Sequence, residues 1–391
     1  MTEPFRLLSK DFSFVCVANF LYFGSFYLLV PTLPQYVAGI GGSPGQIGLV
    51  MGALTLASVV VRPYFGKLAD RYGLKKFMLL GAGFFSFFFL FYSQIQAFIP
   101  LYFLRVIHGF SHASFLVASA AYVADLAPAE RRGEVIGIYG TSSVVAMAMF
   151  PAWGIAIVGQ YGGFSALFTV SIVAAGSAFC LLLFVREIKP GKNRTDRMSL
   201  MEIARLRVVL VASLALFSGA TVYGAILTFL PVYAVEQGLT NFGLFFSVYA
   251  ASTLASRILA GKLSDRIGRN RVILPCMGLV AAAIFMLPLL GSIYLLAFIG
   301  VCFGLGFGAF MPTLNALVVD NTPPQHRGSV LGFFTSFMDI GITAGAVGLG
   351  LVGEHWGYAT MFAIGGFVVV GGMMVFAAES RPGNKKLQEE K

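Results

Sequence analysis

Three ionisable side chains, Arg105, His108 and His112, stand at i, i+3 and i+7 of a stretch that is otherwise apolar. At about 100° per residue they fall within roughly a 60° arc and form one polar face of a helix. A histidine exchanges a proton close to neutral pH beside an arginine that stays charged, so this face can take part in proton transfer. Neutral, hydrogen-bonded core histidines give the same pattern. The i, i+4 spacing of the two histidines also suits a metal, but no Cys or carboxylate of the same helix joins them, and no metal site is assigned. Asp339 is the one carboxylate well inside an apolar stretch. It lies about 11 residues into that stretch, or roughly 16 Å at 1.5 Å per residue, which is close to a bilayer midplane. A charged Asp there costs about 2.5 to 3.5 kcal/mol on insertion scales, so the residue is expected to be neutral or paired for part of a cycle, as a proton-coupling acid must be. Packing at a helix kink beside Gly341 is the alternative.

Neutral polar groups that can orient a ligand in an apolar cavity are few. Asn19, Phe23 and Tyr27 share one side of a helix, Asn19 and Tyr27 being roughly 80° apart. Tyr223 and Asn315 are further candidates for contact with a substrate. Helix-to-helix hydrogen bonding accounts for the same residues equally well.

The elements that must hold these groups follow from composition. The chain is 58% hydrophobic and only 11% charged, against about 25% charged in soluble domains. Apolar stretches long enough to cross a bilayer are predicted near 12–38, 46–66, 77–96, 99–124, 133–158 and 163–185, and again near 208–235, 243–261, 272–291, 294–319, 328–352 and 356–378. The fold class is therefore an all-α membrane protein of twelve transmembrane helices, and runs of this length exclude an outer-membrane barrel. Cys16, Cys180, Cys276 and Cys302 fall in these stretches without a CxxC and read as buried hydrophobes.

The two halves repeat. Gly66-Lys67-Leu68-Ala69-Asp70-Arg71-Tyr72-Gly73 returns 195 residues later as Gly261-Lys262-Leu263-Ser264-Asp265-Arg266-Ile267-Gly268, and Asp125 returns as Asp320 in the same register. Two pseudo-symmetric six-helix bundles are predicted, residues 1–190 and 208–391, joined by a linker at 191–207. Of the 27 Lys and Arg, only Arg62, Arg105 and Arg257 fall within predicted spans, and none lies in an odd-numbered loop. Since basic loops stay cytoplasmic, both termini and the linker are expected in the cytosol. The first span is expected to remain as a membrane helix, since no cleavage pattern follows it. Basic residues scattered over separate short segments do not make a nucleic-acid surface.

The doubled G-K-L-A-D-R-Y-G and G-K-L-S-D-R-I-G resembles the signature of the major facilitator superfamily, and the resemblance covers the whole sequence. It implies a central cavity that opens alternately to each side, lined by the first, fourth, seventh and tenth helices. It also implies a cytosolic gate at Gly66, Asp70, Arg71, Gly73 and Asp125 and their counterparts Gly261, Asp265, Arg266, Gly268 and Asp320. Here the glycines Gly66 and Gly261 allow close helix approach, the aspartates favour a helix N-terminus, and Arg71 and Arg266 pair with acids such as Asp125 and Asp320. A charge cluster that only fixes topology is the plainer reading. An arginine at the place of Arg105 resembles the proton-coupled exporters of the superfamily. The exporters' fifth-helix glycine pattern is only partly present: Gly137, Pro151 and Gly154 match, while Ala146, Phe150 and Ile155 replace glycines, and the eleventh helix has Gly332, Gly341, Gly345 and Gly350 at matching offsets but Ala346 in place of the proline and Leu349 in place of a glycine.

The expected function is a proton-coupled antiporter, monomeric and in the plasma (inner) membrane, that exports small amphiphilic organic molecules. A facilitator, a symporter or a lipid flippase on the same fold is the alternative. No HExxH, GxSxG or GxxxxGK[ST] occurs, so neither an enzyme nor an ATP-driven pump is expected, and no cofactor is called for.

Overall fold

The computed structural model describes residues 9–128, 131–188, 198–323 and 326–379, and every regular element among them is helical. The helices are α1 (Lys10–Leu29), α2 (Leu33–Gly39), α3 (Pro44–Tyr72), α4 (Leu74–Tyr92), α5 (Phe98–Leu126), α6 (Arg132–Gln160), α7 (Gly163–Leu183), α8 (Leu200–Arg205), α9 (Arg207–Glu236), α10 (Gly243–Ile267), α11 (Arg269–Met286), α12 (Ile293–Asp320) and α13 (Arg327–Glu379). In a bilayer the backbone has no water to bond, so helices that satisfy their own N–H and C=O groups are the form such a sequence must take.

Each of the twelve predicted spans has its helix, with two differences of outline. The first span is broken into α1 and α2 around Pro31 and Thr32, where proline disfavours a continuous helix and the Thr32 hydroxyl donates to Leu28 O at 2.7 Å. The last two spans run together as α13 and are separated only by Gly357, whose φ of 79° bends the chain. Among the described residues ten stretches are long and apolar enough to cross a membrane, one of them being this doubled run. The remaining predicted span, 243–261, lies within α10.

The chain divides into two compact units, Met1–Gly42 with Ala53–Asn193, and Ser43–Gly52 with Arg194–Lys391. Within the first, α1 packs on α6 and α7, and α4 on α5 and α7; within the second, α9 packs on α13, and α11 on α12 and α13. The second unit thus repeats the helix pairings of the first.

Close packing replaces hydrophobic expulsion as the force between helices in lipid, and small residues make it possible. A Cβ at Gly341 would lie 2.6 Å from Phe217 O, and Cβ atoms at Gly345 and Gly224 would collide with Thr221 O and Ile342 O. These three glycines bring α9 and α13 together. In the first unit Gly154 does the same for α6 against Leu28 O of α1. Phe150, one of the replaced glycines of the export pattern, is accommodated by a glycine across the interface: a Cβ at Gly24 would sit 2.5 Å from the Phe150 ring.

Candidate functional site

On α5 of the first unit, Arg105, His108 and His112 are all buried, at 3%, 0% and 7% exposure. Their environments differ. The His108 Nε2 lies 3.1 Å from Phe85 O, which can only accept, so Nε2 is the protonated nitrogen. Its Nδ1 then accepts from the Tyr92 hydroxyl at 2.8 Å, and that hydroxyl in turn accepts from Arg105. The chain from Arg105 through Tyr92 to His108 and Phe85 O engages both ring nitrogens of the imidazole. His108 is thereby a positioned core histidine. His112 makes one longer contact, Nδ1 to the Tyr22 hydroxyl at 3.2 Å, and no hydrogen bond from its Nε2 to another described residue. Its ring is walled by Phe26 at 5.2 Å, by Phe23 and Tyr22 at 5.9 Å and by Phe85 at 6.0 Å.

The candidate ligand groups separate in a similar way. Asn19 is fully buried and fully engaged: its Nδ2 donates to Ser142 Oγ at 2.7 Å and its Oδ1 accepts from the Tyr139 hydroxyl at 2.9 Å. Tyr139 also lies 2.7 Å from Ser119 Oγ, so α1, α5 and α6 are tied by one polar knot. This is the helix-to-helix role. Phe23 and Tyr27, one turn further along α1, are half-buried and stacked at 6.0 Å. In the second unit Tyr223 is buried and stacks on Phe307 at 4.7 Å and 12°. Asn315 on α12 is half-buried, and its amide has no hydrogen bond to a described residue. Asp339 lies half-buried twelve residues into α13, its carbonyl accepting from the Thr343 hydroxyl at 2.9 Å.

At the signature the structure corrects the expected pairing. Arg269, not Arg266, binds the acids: its Nη1 lies 2.6 Å from Asp265 Oδ1 and 2.6 Å from Ser264 Oγ, and its Nε lies 3.1 Å from Asp320 Oδ2. The reason is the turn at Gly268, whose φ of 96° reverses the chain and returns Arg269 over Asp265, while Arg266 points outward and is exposed. Arg71 is likewise exposed and lies over the ring of Tyr72 at 5.3 Å. Gly73 has φ of 112°, so both signatures end on a glycine that the left-handed turn requires. Gly66 differs from expectation, since a Cβ there would meet only Val117 at 3.5 Å, an ordinary contact. Gly261 lies in α10. Asp70 and Asp125 lie near the C-terminal ends of α3 and α5 and are half-buried.

The repeat itself carries no signal for Arg269 or for the acid that takes part in the first unit. Position 74, the repeat counterpart of Arg269, is Leu74, which is fully buried. In that half Glu187, just beyond α7, accepts from the Lys75 N–H at 3.1 Å and so places a carboxylate at the N-terminus of α4. Among the cysteines, Cys276 is buried, Cys16 and Cys302 are half-buried and Cys180 is exposed on the outer face of α7, so the last is not the core residue its surroundings in the sequence suggested.

An all-helical protein of two units with repeated pairings, spans of membrane length and charged turns at one end of each unit is of the class of membrane transporters. The chain belongs to the Major Facilitator Superfamily, whose model matches residues 15–245 and 239–391. It is similar to the multidrug resistance protein MdtG of Rahnella sp., 27% identical over 94% of this chain and 93% of that one. An uncharacterized transporter of the same superfamily from Methanocaldococcus jannaschii is 23% identical over 91% of this chain and 94% of its own. Among solved structures, a variant of the nucleoside transporter NupG matches with a TM-score of 0.77 at 16% identity over 95% of this chain and all of the other. A bacterial homologue of the human lysosomal transporter Spinster matches at 0.75, also 16% identical, over 97% and 96%. The chain is thus a multi-pass membrane transporter of a small-molecule substrate and not an enzyme.

Proposed function

We propose that this transporter is a proton-coupled antiporter that exports small amphiphilic organic molecules across the inner membrane by alternating access of its two halves. The observation that supports it most is the buried face of α5. There a charged Arg105 and two histidines sit in a unit whose spans hold no carboxylate at comparable depth. The likeness to MdtG, a protein named for multidrug resistance, points the same way.

In this reading Asp339, which is half-buried, and His112, whose Nε2 makes no hydrogen bond to another described residue, each take up and release a proton, while His108 is locked by both of its ring nitrogens. Arg105, His108 and Tyr92 position the first of them. Phe23, Tyr27, Tyr223 and Asn315 contact the substrate, and the aromatic side chains suit its apolar part. The halves, residues 1–190 and 208–391, are joined by the 191–207 linker and alternate between their states by rigid-body rocking, with both termini in the cytosol. The doubled signature, now with Arg269 as its ion-pairing member in the second half, forms the cytosolic gate.

Asp339→Asn tests the coupling. An amide keeps the size of the protonated acid, so substrate exchange should persist while net transport stops following the pH gradient. An unaltered response to the gradient would make Asp339 structural and leave His112 as the proton site.

A further inference from the structure

The end of the first unit remote from the Gly66–Gly73 signature contains a cavity of about 520 Å³, within the range of roughly 300–1,000 Å³ typical of small-molecule sites. It lies between the end of α2, the α4–α5 connection and the first turn of α7. Its apolar wall is built from three rings. Tyr36 meets Phe164 at 5.1 Å and 66° and Phe168 at 5.5 Å and 88°. The wall is pinned, because the Tyr36 hydroxyl shares its proton between Tyr92 O at 3.0 Å and Ile95 O at 2.7 Å and so fastens α2 to the end of α4.

The polar rim is different in kind. Ser93, Gln96 and Ser165 are exposed, and none of these side chains hydrogen-bonds another described residue. No charged side chain lines the cavity. An ionic ligand entering it would lose hydration without gaining a counter-charge, a cost that a neutral ligand escapes. An uncharged ligand with a flat apolar face and hydroxyls along its edge satisfies both sides, its C–H face on the rings and its hydroxyls on two serines and an amide.

We propose that this cavity binds the neutral hydroxylated ring of a glycoside, separately from the groups assigned above to transport. Two sources present this chemistry, the headgroup of a glycolipid in the bilayer and a free glycoside in solution. The probes are methyl β-glucoside added to the full chain in phosphatidylcholine nanodiscs, and nanodiscs that contain a minor fraction of monoglucosyl diacylglycerol. Saturation-transfer NMR reads contact with the sugar ring protons. Transfer is expected in at least one arm: with the free glycoside if the source is soluble, and only with the glycolipid if it is the membrane. Gln96→Ala should weaken binding roughly fivefold, as the loss of about one hydrogen bond implies, and Ser165→Trp should abolish it by filling the space. Methyl glucuronide, the same ring with a carboxylate, should bind more weakly than the glucoside. Both substituted residues are exposed, so thermal unfolding should be unchanged, and Gln96→Ala alone decides if the tryptophan variant unfolds. No transfer in either arm, equal transfer in both variants, or equal binding of the glucuronide overturns the proposal.

Discussion

Replacing Tyr92 by Phe removes a single oxygen and should separate the roles of the two histidines. In the native protein that oxygen accepts from Arg105 and donates to His108 Nδ1 at 2.8 Å. Deleting it leaves a fully buried imidazole nitrogen without its donor and a nearly buried guanidinium short of one acceptor. In water-soluble proteins the first loss costs about 1–3 kcal/mol and a hydrogen bond to a charged group about 1.5–3 kcal/mol. Measured interhelical bonds in membranes average about 0.6 kcal/mol with a maximum near 1.7. Two such losses at the upper end of the membrane range give an expected destabilisation of about 3 kcal/mol. Tyr22→Phe deletes only the 3.2 Å contact to His112 and should cost under about 1 kcal/mol. Steric-trapping measurements of unfolding in bicelles resolve such a difference. If Tyr92→Phe is no more destabilising than Tyr22→Phe, His108 is not held by the chain of bonds that assigns its tautomer.

Other substitutions follow from the same geometry. Arg269→Ala should destabilise by about 0.5–1.5 kcal/mol, a modest figure because Asp265 and Asp320 are half or more exposed, and Arg266→Ala should change stability by less than about 0.5 kcal/mol; the unfolding assay ranks the two. Gly345→Leu should cost more than about 3 kcal/mol or prevent assembly, because even a Cβ collides with Thr221 O, whereas Gly66→Ala should be accepted within about 1 kcal/mol. Asp70→Asn should shift the resting population toward inward-open, read as greater cysteine labelling from the cytosolic side with substrate binding retained; unchanged labelling removes Asp70 from the gate.

Hydropathy and the repeat made the twelve spans legible, because burial in lipid demands long apolar helices whatever their neighbours. Outlines were less legible where one residue decides a bend: Pro31 breaks the first span, and Gly357 is all that separates the last two. The signature revealed its own turns, since Gly73 and Gly268 do adopt left-handed backbone, but not its ion pairs. Arg269 stands at i+4 from Asp265, a spacing the sequence does contain, but its contact with Asp320 on α12 is one that spacing along a single helix does not contain. The same limit applied to α5. Helical spacing placed Arg105, His108 and His112 on one face, yet only Tyr92 and Phe85 O, contributed by α4, distinguish the locked histidine from the available one. Asn19 looked like a ligand group by type and turned out to be tied to Ser142 and Tyr139 from a helix more than a hundred residues away.

The central claim is that a proton gradient drives outward movement of substrate. Inside-out membrane vesicles containing the transporter, loaded with an acidic interior and given a fluorescent amphiphilic substrate outside, measure it directly. Uptake should be faster than in vesicles with no gradient and should fall to the no-gradient rate when a protonophore collapses it. Equal uptake with and without the gradient would contradict proton coupling and identify a facilitator.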